Sequence, residues 1–132
     1  MAGVPLFILL CSGEHEKVQM AAMMAAIAAV SARPVTVFVS MNALLAFAKD
    51  ASDDERYRGG PVSQLLKVKR APDALGLFRQ GKELGELKLW ACSAALDLQG
   101  WSIEQLEDGL FDGPLGLTAF LSEAEAGQLV AL

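Results

Sequence analysis

Val4-Pro5-Leu6-Phe7-Ile8-Leu9-Leu10, closed by Cys11-Ser12-Gly13, is the stretch on which the fold turns. Seven apolar residues without a polar break are too few for a buried helix and lack the alternation of a half-exposed strand. They read as a strand covered on both faces, as in a parallel sheet. Ser12-Gly13 makes the turn. The segment from Glu14 to Val30 is rich in Ala and Met, strong helix formers, and places Glu14 and Glu16 where a helix dipole favours acids. Arg33-Pro34 stops that helix, and the β-branched run Val35-Thr36-Val37-Phe38-Val39-Ser40 reads as a second strand.

Outward from this unit the same alternation continues. Asn42 to Lys49 reads as a helix, and the charged stretch from Asp50 to Pro61, with its Gly-Gly-Pro, as the longest exposed loop. Pro72 to Leu84 has helical spacing and precedes a third strand, Glu86 to Ala91. Cys92-Ser93 opens a short helix ending before Gly100. Ser102-Ile103-Glu104-Gln105 is a capping-box pattern expected to start a further helix, with Asp108 and Gly109 near its end. Leu115 to Leu121 reads as the last strand, and Ser122-Glu123-Ala124-Glu125 as the box opening a C-terminal helix. Strands alternating with helices imply an α/β protein: one domain over residues 1–132, three layers, and a mostly parallel central sheet of about five strands. Such sheets bind ligands at the carboxyl ends of their strands.

The chain of 132 residues carries a formal net charge of −5. Apolar residues, counting its 12 glycines, make up about 61%, against roughly 45–50% for soluble domains. That surplus asks for an oligomer interface or a membrane-facing surface. The longest charge-free apolar run of the Ala/Met helix, Met20 to Val30, is too short to span a bilayer, and the N-terminal run lacks the preceding basic residues of a signal peptide. A cytoplasmic homo-oligomer without membrane contact is therefore expected, with the Ala/Met helix buried all round, in the core or between subunits. Charge is segregated along the chain: −3 over residues 1–55, +5 over 56–88 and −7 over 89–132, blocks that could attract one another between subunits or simply be solvated. The acidic total and the scarcity of aromatic residues in the basic block argue against nucleic-acid binding.

Both cysteines fall at a carboxyl end of an expected strand. Cys92, where strand passes into helix, is placed for a helix N-terminus to favour the thiolate, the nucleophilic form. Composition alone leans instead to a small buried hydrophobe in Trp90-Ala91-Cys92-Ser93-Ala94. Cys11 has a similar placement beside acids, which would raise its pKa. A Cys11–Cys92 redox pair requires their strands to be neighbours. His15 could approach Cys92 under the same condition, and Ser12 and Ser93 flank the two thiols. No metal-ligand spacing, Walker sequence, dinucleotide-binding glycine motif or cofactor signature is present.

Ser12-Gly13-Glu14-His15-Glu16-Lys17 leading into the Ala-rich helix, Val35 to Ser40, and above all Leu89-Trp90-Ala91-Cys92-Ser93-Ala94-Ala95-Leu96 ahead of Gly100 resemble the DsrE/DsrF-like sulfur-carrier family, which includes the TusD-like sulfur-relay subunits. The similarity runs over about residues 4–121. It implies a flavodoxin-like fold, trimers or hexamers, and a sulfurtransferase-like activity in which Cys92 holds sulfane sulfur as a persulfide, taken from a donor protein and passed to an acceptor thiol. Cys11, Ser12, His15 and Ser93 are then auxiliary candidates. The alternative is a non-catalytic small-ligand or protein-binding module of the same fold, with Cys92 structural.

Overall fold

The structure, a computed structural model, describes residues 3–132. Five strands form one sheet in the order β4-β3-β2-β1-β5, and every pairing is parallel: β1 Leu6–Leu10, β2 Val35–Val39, β3 Leu87–Cys92, β4 Gly113–Leu115 and β5 Gln128–Ala131. The register explains the unbroken apolar runs. Leu6, Val35 and Leu87 lie side by side, as do Ile8, Val37 and Leu89, then Leu10, Val39 and Ala91, and all nine are buried. Helices α1 (His15–Val30) and α4 (Ala74–Leu84) pack together over this face. On the opposite face Phe120 of α6 (Leu117–Ala124) stacks on Phe38 at 4.8 Å and meets Phe7 edge-on at 6.1 Å. This gives the three-layer α/β architecture, with one contiguous core running through all layers.

The second half of the chain departs from the expected element order. Leu115 to Leu121 is not a strand: β4 ends at Leu115, and Leu117 begins α6. An apolar run this short fits either state, and here the buried pair Phe120 and Ala124, four residues apart, is satisfied by a helix lying on the sheet. The expected C-terminal helix from Ser122 is absent. Ser122 to Ala124 instead finish α6, and the chain then runs along β1 as β5. Ser102–Gln105 does form its capping box, but closes only one 3-10 turn, Ile103–Gln105, with Asp108 and Gly109 beyond it. In the first half, the helix expected over Asn42 to Lys49 is present as a 3-10 helix, Met41–Phe47.

The segment read as a long exposed loop is structured. Ser52 and Glu55 form a reciprocal capping box on the short helix α2 (Asp53–Arg56), and Gly60-Pro61 leads into α3 (Pro61–Val68). Arg56 and Tyr57 are buried. Helix α5 spans Ser93–Gln99 and ends on Gly100 in the left-handed conformation, φ +66°. No helix among the described residues is long and apolar enough to cross a membrane.

Helix α1 is not buried all round. Its alanines face inward, where close approach to α4 is needed, and Met20, Met23, Ile27 and Val30 face outward, exposed.

Candidate functional site

The carboxyl ends of β1, β2 and β3 bring Cys11, Ser40 and Cys92 to one level, each a single position beyond the last β1–β2–β3 register match. Cys92 pairs onward with Leu115 of β4 and occupies the N-cap position of α5. It is 4% exposed. Cys11 is partly exposed, with its backbone N–H donating to the Leu132 carbonyl. Burial pushes the Cys11 thiol up, and the nearby Cys92 pushes it in the same direction. The rise expected from the acids of the following turn therefore has a different origin.

Because β2 lies between them, the two cysteines stand two strand spacings apart, about 9–10 Å between α-carbons. A disulfide needs roughly 4.4–6.8 Å, so this backbone does not let them pair within the chain, and both thiols are free. The condition for the redox pair, neighbouring strands, is not met.

The same arrangement settles where His15 goes. Its Nδ1 lies 2.7 Å from the Ser63 hydroxyl of α3, and its ring stacks on Tyr57, with centroids 4.5 Å apart. Tyr57 in turn donates to Asp73, which caps α4 by accepting from the Gly76 N–H, and accepts from the Leu75 N–H. His15 thus joins α1 to α3 and α4 through a polar chain that is buried at His15, Ser63 and Tyr57 and reaches the surface at Asp73, and it makes no hydrogen bond to either thiol. Burial and the Lys67 charge lower its pKa against a smaller opposing effect of Asp73. Ser12 accepts from the Glu14 N–H across the turn, and Ser93 is half-buried at the start of α5.

Beside Cys11, on the same edge of the sheet, opens a cleft of about 700 Å³. Its walls come from the turn Ser12–Glu14, the 3-10 helix around Asn42 and Leu45, the α2 region with Glu55, Arg56 and Arg58, and Trp101 after α5. Two backbone features shape it. Gly13 is required because a β-carbon there would stand 2.8 Å from the Asn42 carbonyl oxygen, so the turns after β1 and β2 touch backbone to backbone. Met41 takes φ +50°, a left-handed conformation that a non-glycine residue adopts at a cost and that is concentrated at functional edges. Arg56 holds the wall in place, donating to the Ala46 and Ala51 carbonyls at 2.8 and 3.1 Å and pairing with Glu107 at 2.8 Å. Arg58 forms no ion pair among the described residues. The cleft therefore offers an aromatic plate, a free guanidinium and carboxylates at the edge where parallel sheets take ligands.

Asn42, Arg56, Arg58 and Trp101 were not identifiable as a group from the sequence. The signal for part of it was present: Ser52-Asp53-Asp54-Glu55 is a capping box and marks ordered chain, not an open loop. Among the described residues no group of three or more His, Cys, Asp and Glu is placed to hold a metal ion.

No protein-family model matches the chain, and no curated protein sequence matches it. Among solved structures it is similar to a protein of unknown function, MTH1491, from Methanobacterium thermoautotrophicum. The TM-score is 0.64 at 13% sequence identity, over 98% of this chain and all of that one. At that identity the likeness extends to the fold.

Proposed function

We propose that this protein is a self-associating small-ligand-binding module whose working end is the cleft at the carboxyl edge of the sheet, with Cys92 a structural thiol. The observation that carries this reading is the contrast at that edge: Cys92 is 4% exposed and does not line the cleft, whereas the roomy polar and aromatic cleft itself stands open. A persulfide carrier needs a thiolate that a donor and an acceptor can both reach. Trp101 and Arg58 suit a planar ligand that carries an anionic group. Self-association follows from the apolar surplus and the exposed large side chains of α1.

The second reading is the sulfur carrier. Two free thiols facing the same edge of the sheet, near enough for Cys92 to raise the Cys11 pKa, favour it, as does the resemblance of Leu89–Leu96. In that chemistry the Cys92 thiolate takes the terminal sulfur of a donor persulfide, and the donor leaves as its thiolate.

Incubation of the reduced protein with a sulfane-sulfur donor, followed by intact mass and peptide mapping, separates the two. The binding-module reading expects no added sulfur at Cys92 and no alkylation of Cys92 by iodoacetamide until the chain is unfolded. Addition of one sulfur atom that disappears in Cys92→Ser would establish the carrier instead.

A further inference from the structure

Helix α1 is inverted relative to an ordinary surface helix, with small residues inward and large apolar residues outward. Glu16, Met20, Met23, Ile27 and Val30 succeed one another at intervals of four, three, four and three residues and form one exposed stripe. Ile27 alone is 66% exposed. Alongside the stripe runs a groove of about 420 Å³, bounded on its far side by Gln128 and Val130 of β5.

Strand β5 is a sheet edge. Its Gln128 N–H and the following Leu132 N–H turn inward to the Pro5 and Leu9 carbonyls, so alternation leaves the N–H groups of Leu129 and Ala131 on the open side. None of its four residues is charged or proline, the usual guards of an edge.

Charge at the two ends of the stripe supplies the orientation. At the amino end of α1 stand Glu14 and Glu16, with Lys17 on the adjoining row. Beyond the carboxyl end stands Arg33, which donates to the Val4 carbonyl and to Gln128. Neither Glu16 nor Arg33 forms an ion pair among the described residues. An acid at one end and a base at the other, about 22–25 Å apart along the helix, complement themselves only when two such stripes meet antiparallel.

We propose that a second copy of this chain covers the groove between α1 and β5. The two copies meet antiparallel about a two-fold axis near Met23, with Glu16 of each copy opposite Arg33 of the other. The proposal rests on the self-association stated above and names its surface and symmetry. A two-fold contact uses the same patch on both partners, and this patch is self-complementary in polarity and end charges.

Light scattering on the full chain at micromolar concentration, for wild type, Ile27→Glu and Met23→Glu, tests it. Both side chains point to solvent in the single chain, and circular dichroism checks that the variants keep the fold. The expected result is an even multiple of the 14.0 kDa chain mass for wild type, with either substitution raising the dissociation constant at least about tenfold. Orientation is read by oxidative cross-linking, with wild type as control for the native thiols. Met23→Cys, near the axis, links to its own copy, and Glu16→Cys, far from it, does not.

A wild-type monomer would overturn both the self-association and this surface. An oligomer indifferent to both glutamates would overturn this surface and leave self-association standing. An odd-numbered oligomer, or self-linking of Glu16→Cys, would overturn the antiparallel two-fold.

Discussion

His15 stands almost wholly out of water, bonded to Ser63 and stacked on Tyr57, and its lowered pKa couples the fold to acid. The sign follows from proton counting. An unfolded chain binds a proton at this imidazole near pH 6.5, while the native chain resists it to lower pH. Its stabilising effect is complete above about 6.5 and is lost as pH falls from there through the depressed native value. Urea midpoints should therefore fall between pH 7.5 and pH 5.5 in wild type, and the fall should shrink in His15→Gln, which keeps a hydrogen-bonding group toward Ser63 without the titration. An unchanged slope in the variant would assign the pH dependence to other groups. From the sequence this histidine could approach Cys92 only if the strands of the two cysteines were neighbours. Its partners Ser63 and Tyr57 lie 48 and 42 positions away, and nothing local announces them.

At the scale of elements, the contact of α1 with α4 explains why the longest helix is built of alanine. Ala26 and Ala29 face Gly81 and Gly85, and a β-carbon on Gly85 would be driven into the Ala29 carbonyl. The Gly85 backbone is extended, at φ −153°, so the requirement is one of space rather than of conformation. Gly85→Ala should lower stability by about 1–3 kcal/mol in urea unfolding, as overpacking of a tight contact does. Gly116→Ser, which adds its atoms to open space at the N-cap of α6, should be neutral or stabilising. Equal losses in both variants would refute the packing explanation. The existence of α1 was legible from composition. Its inside-out orientation was not, because alanine and methionine look alike to a pattern of apolar positions, and the glycines of α4 decide which side can come close.

Across the whole molecule, segregated charge is partly matched within the chain. Arg56 and Arg79 of the basic block both reach Glu107 of the acidic block, Lys82 reaches Asp112 at 2.6 Å, and Lys49 reaches Asp108 at 2.9 Å. Three of these pairs are partly open to solvent and stabilise little. Arg56 is the exception at 7% exposure, and Glu107→Gln leaves its buried charge held by two carbonyls and an uncharged amide. That substitution should cost about 1–3 kcal/mol and loosen the α2 wall of the cleft. A loss below about 0.5 kcal/mol in urea unfolding would show the pair to be as weak as its exposed neighbours.

What the sequence by itself determined is the α/β class, the first three strands and the helices after β1 and β3. Each of these is an apolar or strongly helix-forming run bounded by turn residues, and such signals are local. Only the tertiary structure decided that Leu117–Ala124 is helix and Gln128–Ala131 strand. A short apolar run has no state of its own until Phe120 finds Phe38, and β5 finds the free edge of β1. It decided the cleft for the same reason, since turns after three strands become one wall only when the sheet sets those strands side by side. It decided the fate of the thiols as well: β2, inserted between β1 and β3, holds Cys11 and Cys92 at a separation that no inspection of their spacing in sequence reveals.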